Sequence, residues 1–158
     1  RAVAPATAAA AGQAFMQRVL LAVDGSEGAR RAMDHVIKLR QNLRDGATMA
    51  VHLVNVQRAV PGDVSSFVPG KTLEDYHREK SEPVIAAARA ALGTAGITAT
   101  EHYGIGEPGP TIANIATAEG CDMIVMGTRG LGANTAALIG SVAHSTAEYS
   151  RVPVLLVK

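Results

Sequence analysis

Residues Val19 to Glu27 read VLLAVDGSE. Five apolar residues in a row are too few for a helix, and their branched side chains suit a strand covered on both faces. Asp24-Gly25 ends the run. Ser26 then offers a hydroxyl that can accept an unpaired amide at a helix start. The helix signal follows at once: Ala29, Ala32, Met33, Val36, Leu39 and Leu43 recur at steps of three and four. That is one apolar stripe, ending near Asp45-Gly46.

The same alternation continues outward. Met49 to Val56 (MAVHLVNV) reads as a second strand, and residues 57 to 70 as a loop bounded by Pro61-Gly62 and Pro69-Gly70. Thr72 and Asp75 have capping-box spacing and predict a helix from about Leu73. Pro83 clashes with the preceding turn and donates no amide, so the segment to Leu92 is expected to be bent or split, with Ser81 as a second cap. Ile97 to Tyr103 is a third strand. Pro110 or Thr111 opens a short helix that runs through Ala118 and closes at Gly120. Asp122 to Met126 (DMIVM) is a fourth strand, Gly127 to Gly140 a glycine-rich segment with room for a short helical turn, Ser141 to Ser150 a last helix, and Val152 to Val157 a last strand.

Strands alternating with helices imply a parallel sheet joined by right-handed crossovers, with helices on both faces. An open sheet of this kind binds ligands beyond the carboxyl ends of its strands, where the strand order reverses. That directs attention to Asp24–Ser26 and Gly127–Ser141, with Val56 nearby.

Composition excludes several classes. The chain has 158 residues, 47% hydrophobic, 3% aromatic and 18% charged, with 15 basic and 14 acidic residues and net charge +1. The core must be aliphatic and small. No global field attracts nucleic acid or an anionic membrane, and few aromatics are available to stack bases. The single cysteine, Cys121, rules out an internal disulfide framework and a cysteine-rich zinc site; it reads as a small buried filler. A reducing, cytoplasmic setting and no membrane span are expected. Residues 1–15, including RAVAPATAAAAGQ over Arg1–Gln13, read as a flexible Ala-rich tail before a single domain over residues 16–158.

Two glycine patterns compete for chemistry. Gly104, Gly106 and Gly109 (GIGEPG) form a GxGxxG string after a strand, but the next strand ends in Met126-Gly127 rather than in the acid a dinucleotide fold needs. This string reads as a structural turn. Gly127, Gly130, Gly140 and Ser141 stand as G-x2-G-x9-G-S directly after a buried strand and lead into a helix. Glycine lets backbone approach a phosphate closely, successive free amides make an anion nest, and the helix start adds unpaired amides and the positive dipole end. Ser141 can donate to a phosphate or ligate its magnesium. The plainer alternative is a set of turn glycines and an ordinary capping serine. Asp24 can bond a ribose or adenine edge, or cap its own turn; ligand contact is favoured. His52 reads as a sheet-face residue and His144 as solvent-facing. His35, His77 and His102 are scattered without metal-ligand spacing.

These residues resemble the universal stress protein family. VLLAVDGSE is similar to its opening, and the sequence from Asp122 (DMIVMGTRG…GSVAHSTAEYSRVPVLLV) to its C-terminal half. The glycine spacing is similar to that of its ATP-binding branch. The resemblance runs from about Gln17 to Lys158 and implies five parallel strands in the order 3-2-1-4-5, Rossmann-like and in three layers. It further implies ATP as ligand, with Mg2+ or Mn2+ on the phosphates. Adenine would lie near Ala22, Val23, Asp24 and Val56; ribose and α-phosphate by Met126, Gly127 and Gly130, with Arg129 as the main nearby cation; outer phosphates by Gly140, Ser141, Val142 and Ala143. Ser141 is the candidate metal contact.

Leu131 to Ile139 (LGANTAALI) lacks the basic residues many relatives carry, which weakens the expected hold on a polyanion. The implied role is a nucleotide-dependent regulatory module of the stress response, with an unidentified regulatory protein partner and at most slow ATP hydrolysis. A homodimer through Arg151–Lys158 is expected, because an apolar edge strand invites pairing. The alternatives are a family member that acts by protein contacts without nucleotide, and a nucleotide-dependent transferase. The second would need a pyrophosphatase-type loop, of which Asp24-Gly25-Ser26-Glu27 is only a fragment.

Overall fold

Val19, Leu20 and Leu21 have no exposed surface, as a strand between two helical layers requires. The computed structural model describes residues 16–44, 46–60, 72–132, 136 and 138–158. The Ala-rich start, most of the expected loop between Pro61 and Gly70, and residues 133–135 and 137 of the glycine-rich segment lie outside the described residues. In chain order the elements are β1 (Arg18–Ala22), α1 (Glu27–Asn42), a 3-10 turn (Gly46–Thr48), β2 (Ala50–Gln57), α2 (Leu73–Thr94), β3 (Ala99–Ile105), α3 (Pro108–Ala118), β4 (Met123–Gly127), α4 (Ser141–Tyr149) and β5 (Val154–Val157). The strands form one five-stranded sheet of order β3-β2-β1-β4-β5, and every pairing is parallel.

Register sorts the core. Leu20 stands opposite His52 and Ile124, and Leu21 opposite Leu53 and Val125. Odd positions of β1 pack with Ala32, Met33, Val36, Ile85, Ala88 and Leu92 of α1 and α2. Leu20 packs with Val54, Ile112, Ala116, Ile124 and Ala143 on the face covered by α3 and α4. The result is three layers around two apolar seams.

The predicted caps form. The Ser26 hydroxyl accepts from the Ala29 amide at 3.1 Å. Thr72 and Asp75 make both bonds of a capping box, each at 3.1 Å. The expected split at Pro83 does not occur: α2 runs unbroken from Leu73 to Thr94 with Pro83 inside it. Pro83 lies on the exposed face, where water rather than core surrounds the site of the missing bond. Ser81 is not a second cap. It is buried, and its hydroxyl donates to Asn55 Oδ1 at 2.8 Å. The third strand begins two residues later than read, because the Ile97 amide is bonded to Leu92 at the end of α2. The last strand also starts later, at Val154, and α3 begins earlier, with Pro108 in its first turn.

Leu20→Ala and Leu21→Ala empty opposite faces of β1. Each is expected to lower the unfolding free energy by about 2–5 kcal/mol, read from urea titrations followed by circular dichroism. A loss below about 1 kcal/mol at either site would contradict a sheet covered on both faces.

Candidate functional site

Beyond the carboxyl ends of β1 and β4 the chain is held by backbone contacts. The Val23 amide continues the ladder to Val54 at 2.9 Å. Asp24 Oδ1 accepts from the Ser26 amide at 2.9 Å, so this carboxylate does cap its own turn. Gly25 has φ +81°, a left-handed conformation that favours glycine. The first turn of α1 then passes over the end of β4. A Cβ on Gly28 would stand 2.4 Å from the Arg129 carbonyl oxygen, and one on Gly127 would stand 2.5 Å from the carbonyl carbon of Gly28.

The glycine-rich segment closes on itself. The Thr128 amide donates to Val157 at 3.0 Å, and the Gly140 amide donates to the Thr128 carbonyl at 2.6 Å. Gly140, with extended φ and ψ, is the cap of α4. Its amide is therefore used inside the loop, and Ser141 is the first helical residue rather than the cap. The amides of Ser141, Val142 and Ala143 have no hydrogen-bond acceptor among the described residues, as the first turn of a helix dictates. Ser141 is exposed, while Ala143 is packed into the α3–α4 seam.

Asp24 and Gly130 meet. A Cβ on Gly130 would stand 2.5 Å from Asp24 Oδ2, so the second carboxylate oxygen lies against the glycine loop. Of the residues singled out from sequence, the structure thus brings Val23, Asp24, Gly127, Arg129, Gly130 and Gly140 together beyond the carboxyl ends of β1 and β4, with Ser141 at the adjoining helix start. Met126 is buried in β4. Ala22 and Val56 sit at the ends of the neighbouring strands and pack on the α3–α4 seam.

Sequence reasoning missed Asn55. This residue is 3% exposed. Its Nδ2 donates to the Val23 carbonyl at 2.7 Å, and its Oδ1 accepts from Gln57 Nε2 and Ser81 Oγ, each at 2.8 Å. The network ties the exit of β1 to β2 and α2. An amide set inside the apolar run VHLVNV was the available signal, since a buried amide must find partners.

The GIGEPG string is structural, as read. Gly104 leaves no room beside Val56 and Thr111, and a Cβ on Gly109 would stand 2.2 Å from Ser145 Oγ. Cys121 is buried, and burial pushes its thiol up to about 11, so it stays neutral. His35 and His144 are exposed, and His77 is buried on α2. One histidine reading is corrected. His102 is not scattered: His52 Nδ1 and His102 Nε2 lie 2.8 Å apart, with Glu119 beside them. Parallel pairing makes them neighbours although 50 residues separate them.

An open parallel sheet with a crevice where strand order reverses, flanked by a helix start, is the architecture in which α/β proteins hold nucleotides. The model of the universal stress protein family matches residues 16–158, and the chain belongs to that family. A universal stress protein of Thermus aquaticus is 33% identical over 144 residues, covering 91% of this chain and all of that protein. Universal stress protein MJ0577 of Methanocaldococcus jannaschii is 27% identical over 154 residues, covering 90% of this chain and 94% of that one. A solved structure of MJ0577 superposes with a TM-score of 0.75, covering 91% of this chain and 96% of that chain. A universal stress protein solved in complex with cAMP shares the fold at 22% identity and TM-score 0.64, covering 90% and 97% of the two chains. No helix among the described residues is long and apolar enough to cross a membrane.

Two glycine substitutions separate scaffold from site. Gly127→Ala sets a methyl against rigid backbone and is expected to cost about 1–3 kcal/mol of stability. Gly130→Ala meets only the Asp24 carboxylate, a side chain that can turn away at the cost of its bond to Ser26, so its loss of stability should be clearly the smaller of the two. Differential scanning calorimetry on both variants checks the contrast, and equal destabilisation would contradict it.

Proposed function

We infer that the crevice binds an adenine nucleotide, with ATP carrying Mg2+ or Mn2+ as the favoured ligand, and that occupancy alters a surface read by a regulatory protein partner. The observation that carries this reading is the helix start at Gly140. Its own amide is tied to Thr128, Gly140 itself lies against Arg129 and Gly130, and the next three amides have no acceptor among the described residues. Preset amides at a helix start favour phosphate without further ordering cost.

In this reading the outer phosphates take the amides of Ser141, Val142 and Ala143, and Gly140 serves as an anchor. The exposed Ser141 hydroxyl fits a divalent ion riding on the phosphates; when bound, that ion would neutralise phosphate charge. Arg129 supplies the nearest cation in sequence. Gly127 and Gly130 admit the ribose and first phosphate, and Asp24 Oδ2 is free to accept from a ribose hydroxyl while Oδ1 holds the turn. The adenine lies by Ala22, Val23, Val56 and Met126. The reading is binding with at most slow hydrolysis, since the sequence holds no P-loop lysine to stabilise a departing phosphate. That a relative of the same fold was solved in complex with cAMP supports an adenine-containing ligand. The half-buried β5 at the sheet edge supports a homodimer through Arg151–Lys158, which sedimentation velocity would show as a dimer lost on Leu155→Lys.

Calorimetric titration of ATP with Mg2+ into nucleotide-stripped protein tests the site. Binding is expected in the native chain and lost in Gly140→Val, where the new Cβ would stand 3.2 Å from the Thr128 carbonyl oxygen. Circular dichroism confirms that the variant folds. AMP and cAMP are expected to bind more weakly than ATP, because they lack the outer phosphates. Absence of binding at millimolar ATP would leave the family's protein-contact role as the reading.

A further inference from the structure

We propose that His52, His102 and Glu119 form a binding site for a divalent transition-metal ion of the zinc class, at the end of the sheet opposite the nucleotide crevice. His52 is on β2 and His102 on β3. Register places His52 opposite Thr100 and Val54 opposite His102, so both histidines lie on the face covered by α3 and are diagonal neighbours. Glu119 caps the C-terminus of α3. That helix runs back across the sheet, which returns Glu119 to the amino ends of the strands. There Arg18 of β1 donates to its backbone carbonyl at 2.7 Å.

The three side chains converge. One ligand atom from each lies within 4.8 Å of the others; His102 turns Nε2 to His52, while its other nitrogen, Nδ1, is the one 4.0 Å from Glu119 Oε1. The imidazole planes are 3° apart with centroids separated by 5.1 Å. Together with a nitrogen separation of 2.8 Å, this describes rings set edge to edge in one plane, not stacked by their faces. The two nitrogens point at one another. Two lone pairs so placed repel, and one ring must supply a bridging proton unless a cation replaces it.

Zinc–nitrogen and zinc–oxygen distances of about 2.0–2.2 Å ask the two rings to part and the carboxylate to close. The two outer ligands are the ones that reach solvent. The Glu119 side chain is 41% exposed and that of His102 16%. His52 is buried and fixed in β2, so it is the stationary ligand of the three. Arg18 opposes a cation here, and the Glu119 carboxylate offsets it. Two imidazoles and one carboxylate select zinc, nickel or copper over magnesium or calcium, so this site is chemically distinct from any ion on the nucleotide phosphates. Three protein ligands leave a fourth position to water or a small anion, on the exposed side of Glu119.

The test is calorimetric titration of Zn2+ into the full chain after chelator treatment, in excess Mg2+, with Co2+ absorption as a second readout. One Zn2+ per chain is expected, with visible d–d bands of a four-coordinate Co2+ complex. His102→Gln and Glu119→Gln are each expected to weaken Zn2+ at least about tenfold. Glu119→Gln at an accessible helix end keeps the test sound if His102→Gln fails to fold. Cys121→Ala should leave binding intact, which separates the site from the lone thiol, and so should Gly140→Val, which separates it from the nucleotide crevice. Unchanged affinity in Glu119→Gln and His102→Gln, or no binding at high-micromolar Zn2+, would overturn the proposal.

Discussion

The first turn of α1 rests directly on the end of β4, glycine backbone against glycine backbone. No side chain fits between Gly28 and Gly127. Ser26 therefore caps α1 where that helix crosses the sheet, and Asp24 is held above the strand ends by the Ser26 amide. Because α1 leads toward β2 on one side while β1 pairs with β4 on the other, the strand order reverses at this contact. The crevice of the candidate site opens there and is lined by backbone more than by side chains.

Small residues carry the same logic to the other face. Gly109 admits Ser145 against α3, and Gly104 admits Val56 and Thr111 against β3. Alanine along α1, α2 and α3 lets the helices sit close to a sheet whose core contains no buried Phe, Tyr or Trp among the described residues. Burial by many small aliphatic groups supplies the stability that larger chains supply elsewhere. The GIGEPG string belongs to this close packing, although it has the letters of a phosphate loop.

What could be read early and what could not divides along particular residues. The caps at Ser26 and Thr72 are legible because a cap and its amide lie three residues apart. The G-x2-G-x9-G-S spacing is legible because it lies in one continuous stretch, Gly127 to Ser141. Of the two readings at Pro83, bent or split, the split fails, because local rules weigh the lost amide and clash but not the exposed face on which the proline falls. Asn55 was passed over because its partners, Val23, Gln57 and Ser81, come mostly from other elements. The start of α4 at Ser141 is legible, whereas Gly140 as its cap goes with a bond from Gly140 back to Thr128, twelve residues away.

By itself, the sequence determined the alternation of strands and helices, the caps, the two-faced burial of β1 and the position of the glycine loop after β4. These follow from spacing of one to four residues and from runs of apolar side chains, which act within an element. Only the tertiary structure decided that Asp24 faces Gly130, that Gly28 and Gly127 touch, and that His52 and His102 share a plane beside Glu119. These contacts arise from parallel register and from crossover helices that bring distant segments together, and pairing at that range leaves no period in the chain to read.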